Sequence, residues 1–149
     1  MKKQKLTDQE KGLLKLKQDP SLFVRQVLGA EPETWQSEAL QAIRENDRVA
    51  VKSGHGVGKS CFQSWLVLWF LSTHYPAKIL LTANTSAQLN EVLMFEINKW
   101  HRKMAPEFRE KIEVKSDRVE LKAPLTEAEL EHLKYMEMYQ EADVNGINS

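Results

Sequence analysis

The chain has 149 residues, and 21 Lys and Arg balance 21 Asp and Glu, so the formal net charge is zero. Hydrophobic residues make up 42% and charged residues 28%, which excludes a wholly disordered chain, a collagen-like chain and a disulfide scaffold. Cys61 is the sole cysteine, so no intramolecular disulfide can form, and a reducing cytoplasm is expected. The densest apolar run, residues 65–71, is far short of the ~20 residues that a membrane helix needs. The basic N-terminus has no apolar stretch behind it, so no secretory signal is expected. The charge is unevenly spread: residues 1–118 carry a net excess of five positive charges and residues 119–149 an excess of five negative ones.

In chain order, Thr7-x-x-Glu10 has the capping-box form and opens a helix to about Lys17. Asp19-Pro20 breaks it, Pro20 suits the first turn of a short helix through Leu28, and Gly29 ends that helix. Thr34 is the expected cap of a third helix to about Glu45. Residues 48–53 read as a strand. The next five residues contain three glycines (Gly54, Gly56, Gly58), which suits neither helix nor strand. Residues 59–73 are apolar nearly all round, the mark of a helix buried on most sides.

Residues 77–83 read as a second strand with a continuous apolar centre, as in a parallel sheet buried on both faces. Thr85-x-x-Gln88 is a capping box, and the helix behind it places Leu89, Val92, Leu93, Ile97, Trp100 and Met104 on one stripe. Pro106 marks its end. Residues 112–114 and 119–121 form an expected hairpin around Ser116-Asp117. Thr126-x-x-Glu129 opens a last, acidic helix to about Ala142, and the end is expected to fray. The fold class expected from this order is α/β: a P-loop NTPase-type layered domain, an incomplete parallel sheet with flanking helices.

Ser53-Gly54-His55-Gly56-Val57-Gly58-Lys59-Ser60 nearly matches the phosphate-loop pattern G-x-x-x-x-G-K-[ST]. Ser53 replaces the first glycine, and Gly54 and Gly56 supply flexibility inside the loop. In such a loop, backbone N–H groups converge on phosphate oxygens and the helix adds its positive end. Lys59 reaches the β- and γ-phosphates, and the Ser60 hydroxyl ligates Mg²⁺. Lys59 stands where a dinucleotide fingerprint needs Gly or Ala. His74, His101 and His132 lie on separate elements without ligand spacing, so no metal site is expected from them. His55 reads as a loop side chain near the phosphates.

Residues 23–32, Trp35-Gln36 and residues 49–60, followed by residues 78–88 and a helix ending Asn98-Lys99-Trp100, resemble the ATPase start of phage and prophage terminase large subunits, the DNA-packaging motors. The likeness covers roughly residues 20–118. It implies ATP and Mg²⁺ as cofactors, and in the complete motor double-stranded DNA, a small terminase subunit and a portal as partners, in the cytoplasm of a bacterial host. It implies that Gln36 reads adenine and that Trp35 stacks on or near the base. A proline usual in the family is replaced by Asn84. Three segments follow: a helical lead-in (1–30), a partial P-loop ATPase domain (31–122) and an acidic helix and tail (123–149).

No apolar run after Ser60 ends in Asp-Glu, the pair that holds Mg²⁺ and polarises water. Glu96 comes nearest, but the stripe puts it mid-helix on the polar side. Arg48 and Lys52 are further candidates for phosphate contacts. The chain is therefore expected to be a truncated terminase region that binds ATP without hydrolysing it alone, with an open sheet edge, marginal stability and self-association. The alternatives are a non-hydrolysing interaction module, a small nucleotide kinase and an inactive prophage remnant.

Overall fold

The structure is a computed structural model that describes residues 7–52, 58–74, 77–83 and 85–122. The described chain is α/β in content but mostly helical, with one small antiparallel sheet. Six α-helices are described: α1 (Asp8–Gln18), α2 (Pro20–Gln26), α3 (Thr34–Glu45), α4 (Lys59–Thr73), α5 (Met94–Lys103) and α6 (Pro106–Arg109). A π-helical segment, Gln88–Leu93, leads into α5. Strands β1 (Ile112–Val114) and β2 (Val119–Leu121) close the described chain.

The first helix starts where its capping box stands. Glu10 N donates to Thr7 Oγ1 at 3.2 Å, and Thr7 N donates to Glu10 Oε2 at 2.9 Å. Asp19 Oδ1 caps α2 by accepting from Leu22 N at 3.1 Å, and Pro20 occupies its first turn. Gly29, at φ 68°, turns the chain away from α2 in the left-handed region. For α3 the cap is Glu33, not Thr34, which is already helical.

Helix α4 is the spine of the core. Phe62, Trp65, Val67, Leu68 and Trp69 are all buried, and α1, α2 and α5 pack around it. From the other elements come Leu16, Phe23, Val24, Leu40, Ile97 and Met104. The lead-in helices thus share one core with α4 and α5. Trp69 Nε1 donates to Leu16 O at 2.9 Å, in the last turn of α1. That carbonyl would otherwise be one of the orphan acceptors at a helix end. The indoles of Trp65 and Trp100 meet edge to face at 5.4 Å and tie α4 to α5. Ala105 N donates to Val27 O at 2.8 Å and fixes the α5–α6 connection on the end of α2.

The expected parallel sheet is not what forms. The described sheet is two-stranded and antiparallel, with Ile112 opposite Leu121 and Val114 opposite Val119. Residues 48–52 and 77–83 are not in strands. A strand is held by ladder bonds to a neighbour, and an apolar run cannot form one by composition alone. All of residues 48–52 are exposed. Along 77–82 burial alternates: Ile79 and Leu81 pack on the core while Leu80 is 85% exposed. The segment therefore covers the core with one face and turns the other to solvent, unlike a strand buried on both faces.

The stripe on the fifth helix is also shifted. Leu93, Ile97, Trp100 and Met104 are buried as expected, but Val92 is 47% exposed and Met94 is buried in its stead. The π-helical segment spaces its bonds one residue wider than an α-helix, which takes Val92 out of the stripe while Leu89 still packs against the core. The hairpin forms at its expected residues. His101 Nε2–H anchors it to α5 by donating to Ile112 O at 2.7 Å and Arg109 O at 3.1 Å. Glu113 and Glu120 face each other across the strands, and Lys115 and Arg118 pair with Glu120. The expected helix 126–142 and the tail lie outside the described residues. No helix among the described residues is long and apolar enough to cross a membrane.

His74 closes α4 with its ring stacked on Phe70 at 4.3 Å and edge-on to Trp69 at 4.9 Å. Thr73 Oγ1–H donates to Trp69 O at 2.7 Å and leaves a lone pair to accept from His74 Nδ1 at 2.9 Å. Burial, and then the charge of Lys17, lowers the imidazole pKa from 6.5 to about 4. The native state thus favours the neutral ring. Above pH 6.5 neither state is protonated and stability is complete. Between 6.5 and about 4 only the unfolded chain takes up the proton, so stability falls with pH, and below about 4 the loss levels off. The ring is only partly buried, so solvent screening keeps the expected loss on the order of 1–2 kcal/mol. Urea unfolding from pH 7 to pH 4 measures it, and His74→Phe, which keeps the stacking, is expected to flatten that part of the profile.

Candidate nucleotide site

Of the phosphate-loop motif, Gly58, Lys59 and Ser60 lie among the described residues, whereas Ser53, Gly54, His55, Gly56 and Val57 lie outside them. Gly58 caps α4 with φ 86° and ψ 28°. This left-handed conformation is costly for any side chain with a Cβ. Its carbonyl accepts the first bond of α4 from Phe62 N at 3.0 Å. Lys59 and Ser60 form the first turn, both half-buried. The N-terminal end of the dipole of the 15-residue α4 favours an anion here.

Trp35 and Gln36 come to this same end from α3. Gln36 is 4% exposed. Its Oε1 accepts from Glu33 N at 2.9 Å, one half of a capping box, and its Nε2 donates to Gly58 O at 3.3 Å. Trp35 Nε1 donates to Glu33 Oε2 at 2.9 Å, and its ring lies 5.7 Å from that of Phe62 on α4. The structure thus brings Gln36 onto the last glycine of the motif, a contact across 22 residues of sequence that no local pattern announces. Arg48 and Lys52 are exposed.

Cys61 follows directly. Its thiol is pushed up to about 11, chiefly by burial and then by the carboxylate of Glu96, with Lys99 acting the other way. At neutral pH it is a protonated thiol and no nucleophile. Glu96 is held by Trp100 Nε1–H at 3.2 Å and lies 4.0 Å from Lys99. Its side chain is 21% exposed. No group of three or more His, Cys, Asp or Glu able to hold a metal occurs among the described residues. His74 and His101 serve packing and the hairpin, respectively.

An open groove of about 580 Å³ between α2 and α3 was not anticipated. It is lined by Asp19, Ser21, Arg25, Glu31 and Ser37 among others. Its cation is already paired: Arg25 Nε donates to both oxygens of Glu31 at 3.0 and 3.1 Å. It shares no residue with Gly58, Lys59 and Ser60.

Comparison with protein families, curated proteins and solved structures returned no match for this chain.

Proposed function

We propose that the chain is the ATP-binding part of a terminase-like DNA-packaging ATPase, with a P-loop type of layered fold around the start of α4. The observation that carries it is Gly58 in the left-handed region, at the end of a glycine-rich sequence and at the start of a long buried helix that opens with Lys59-Ser60. Backbone N–H groups at this end suit the β- and γ-phosphates. Lys59 supplies a point charge to those phosphates, and the Ser60 hydroxyl is the oxygen available to a nucleotide-bound Mg²⁺. Mg²⁺ supplies charge neutralisation between the phosphates when bound. Double-stranded DNA, a small subunit and a portal are the partners this function implies in a complete motor.

The sequence has no apolar run ending in Asp-Glu after Ser60. That observation favours a second reading, in which the chain is an interaction module that binds nucleotide without turning it over, or an inactive prophage remnant that binds none. Calorimetric titration with Mg²⁺-ATP tests both. Lys59→Ala removes charge-assisted bonds worth about 1.5–3 kcal/mol, so affinity is expected to fall roughly 10- to 150-fold. Binding that depends on Lys59, without phosphate release, fits the ATP-binding part. Absence of binding by folded protein leaves the remnant.

A further inference from the structure

We infer that the outer face of α5 is a docking surface, and that its occupant is the acidic segment 123–142 of the same chain. The face has two chemically different halves. Val92, Phe95, Lys99 and Arg102 follow one another at spacings of three and four residues, and all four are exposed. At the N-terminal half stand two large apolar groups, Val92 at 47% and Phe95 at 66% exposure. At the C-terminal half stand the cations Lys99 and Arg102, with exposed Lys103 beside them. An apolar pair continued by a row of cations suits a partner that is apolar at one end and anionic at the other.

Charge, order and reach single out the occupant. Residues 1–118 carry an excess of five positive charges, whereas residues 123–142 hold five acidic groups and one basic one. The chain leaves β2 beside the last turn of α5. Lys122 N donates to Lys111 O at 2.7 Å, and the carbonyl of the next residue, Ile112, is held by His101 of α5 at 2.7 Å. A helix over residues 126–142, as their sequence predicts, therefore starts at the basic end of the face. Running back along α5, it presents Glu127, Glu129 and Glu131 to the cations first, and Leu133, Met136 and Tyr139 to Phe95 and Val92 afterwards. Residues 123–125 span up to about 10 Å, the spacing of two packed helix axes. The face is about 15 Å long and the helix about 25 Å. A second copy of α5 fits less well: set antiparallel it puts cations on apolar groups, and set parallel it puts cations on cations. Exposed ion pairs are individually weak, so the apolar half supplies the affinity and the charges set the direction.

The test is zero-length carbodiimide cross-linking of the full wild-type chain, as a mixture of isotope-labelled and unlabelled protein, read by mass spectrometry. The reagent joins a lysine to a carboxylate in direct contact, and Lys115–Glu120, 3.1 Å apart, is the internal control. Links from Lys99 or Lys103 to Glu127, Glu129 or Glu131 are expected, within single chains. In parallel, Phe95→Ser and Met136→Ser are each expected to lower the melting temperature by roughly 5 °C, and the double variant by less than their sum, because the two side chains lose the same contact. At an uncovered surface position Phe95→Ser would shift the melt by no more than about 2 °C, and that result overturns the inference. Absence of the links while the control forms overturns it as well. Links found only between labelled and unlabelled chains give the face to a second copy and overturn it too. The cross-linking arm needs no variant to fold.

Discussion

Replacing Trp69 by alanine is expected to remove about 3–5 kcal/mol of stability, the cost of emptying a large buried aromatic site. The side chain is 1% exposed in the middle of α4. It also holds a carbonyl of the last turn of α1 through its indole N–H, joining segments 53 residues apart. Domains of this size hold some 5–15 kcal/mol in total, so the variant is expected to melt roughly 10 °C lower or to be partly unfolded at room temperature. Trp69→Phe separates the two contributions. It keeps most of the ring volume and leaves Leu16 O without its donor, so about 1–3 kcal/mol should be lost. Thermal melts followed by far-UV circular dichroism measure both. A Trp69→Ala protein as stable as the wild type would show that α1 does not dock on α4.

The second large effect is expected at Gly58. Gly58→Val adds a β-branched side chain at φ 86°, where left-handed backbone strain costs about 1–3 kcal/mol. It also drives a Cβ to 3.0 Å from Gln36 Nε2. Gln36 is buried and tied to Glu33, so it cannot swing aside without losing the cap of α3. The expected total is roughly 2–4 kcal/mol, strain and clash together. Gly29→Ala is the control for strain alone. Gly29 has φ 68° and nothing within 4 Å of an added Cβ, so about 1 kcal/mol is expected there. Equal losses at the two glycines, read from urea midpoints, would show that the Gln36 contact does not confine Gly58.

How far the sequence could be read depended on the range of the force involved. Capping pairs and helix-breaking residues act over three or four positions, and α1, α2 and α4 begin where Thr7, Pro20 and Lys59 indicate. The hairpin, closed over four intervening residues, was legible too. Residues 48–52 and 77–83 have strand-like composition, but a strand depends on a partner that composition does not supply. The π-helical segment left no mark in the residue pattern, so Val92 was placed inward and Met94 overlooked. At the site, the positions of Gly58, Lys59 and Ser60 ahead of α4 were legible from spacing. The bond from Gln36 to Gly58 was not, because it depends on how α3 packs against the start of α4. The acidic helix over 126–142 lies outside the described residues.

The Trp65–Trp100 contact has an optical consequence. Two indoles 5.4 Å apart with planes at 75° couple their strong electronic transitions, and the coupled pair gives an exciton contribution to the dichroism that the separated rings lack. The signal exists only while α4 and α5 are docked, because each helix contributes one ring. Trp65 sits on the same helix as Lys59 and Ser60, fewer than two turns further on. The chain therefore carries an intrinsic, label-free reporter of the seam between α4 and α5, one that distinguishes loss of that seam from loss of helix content.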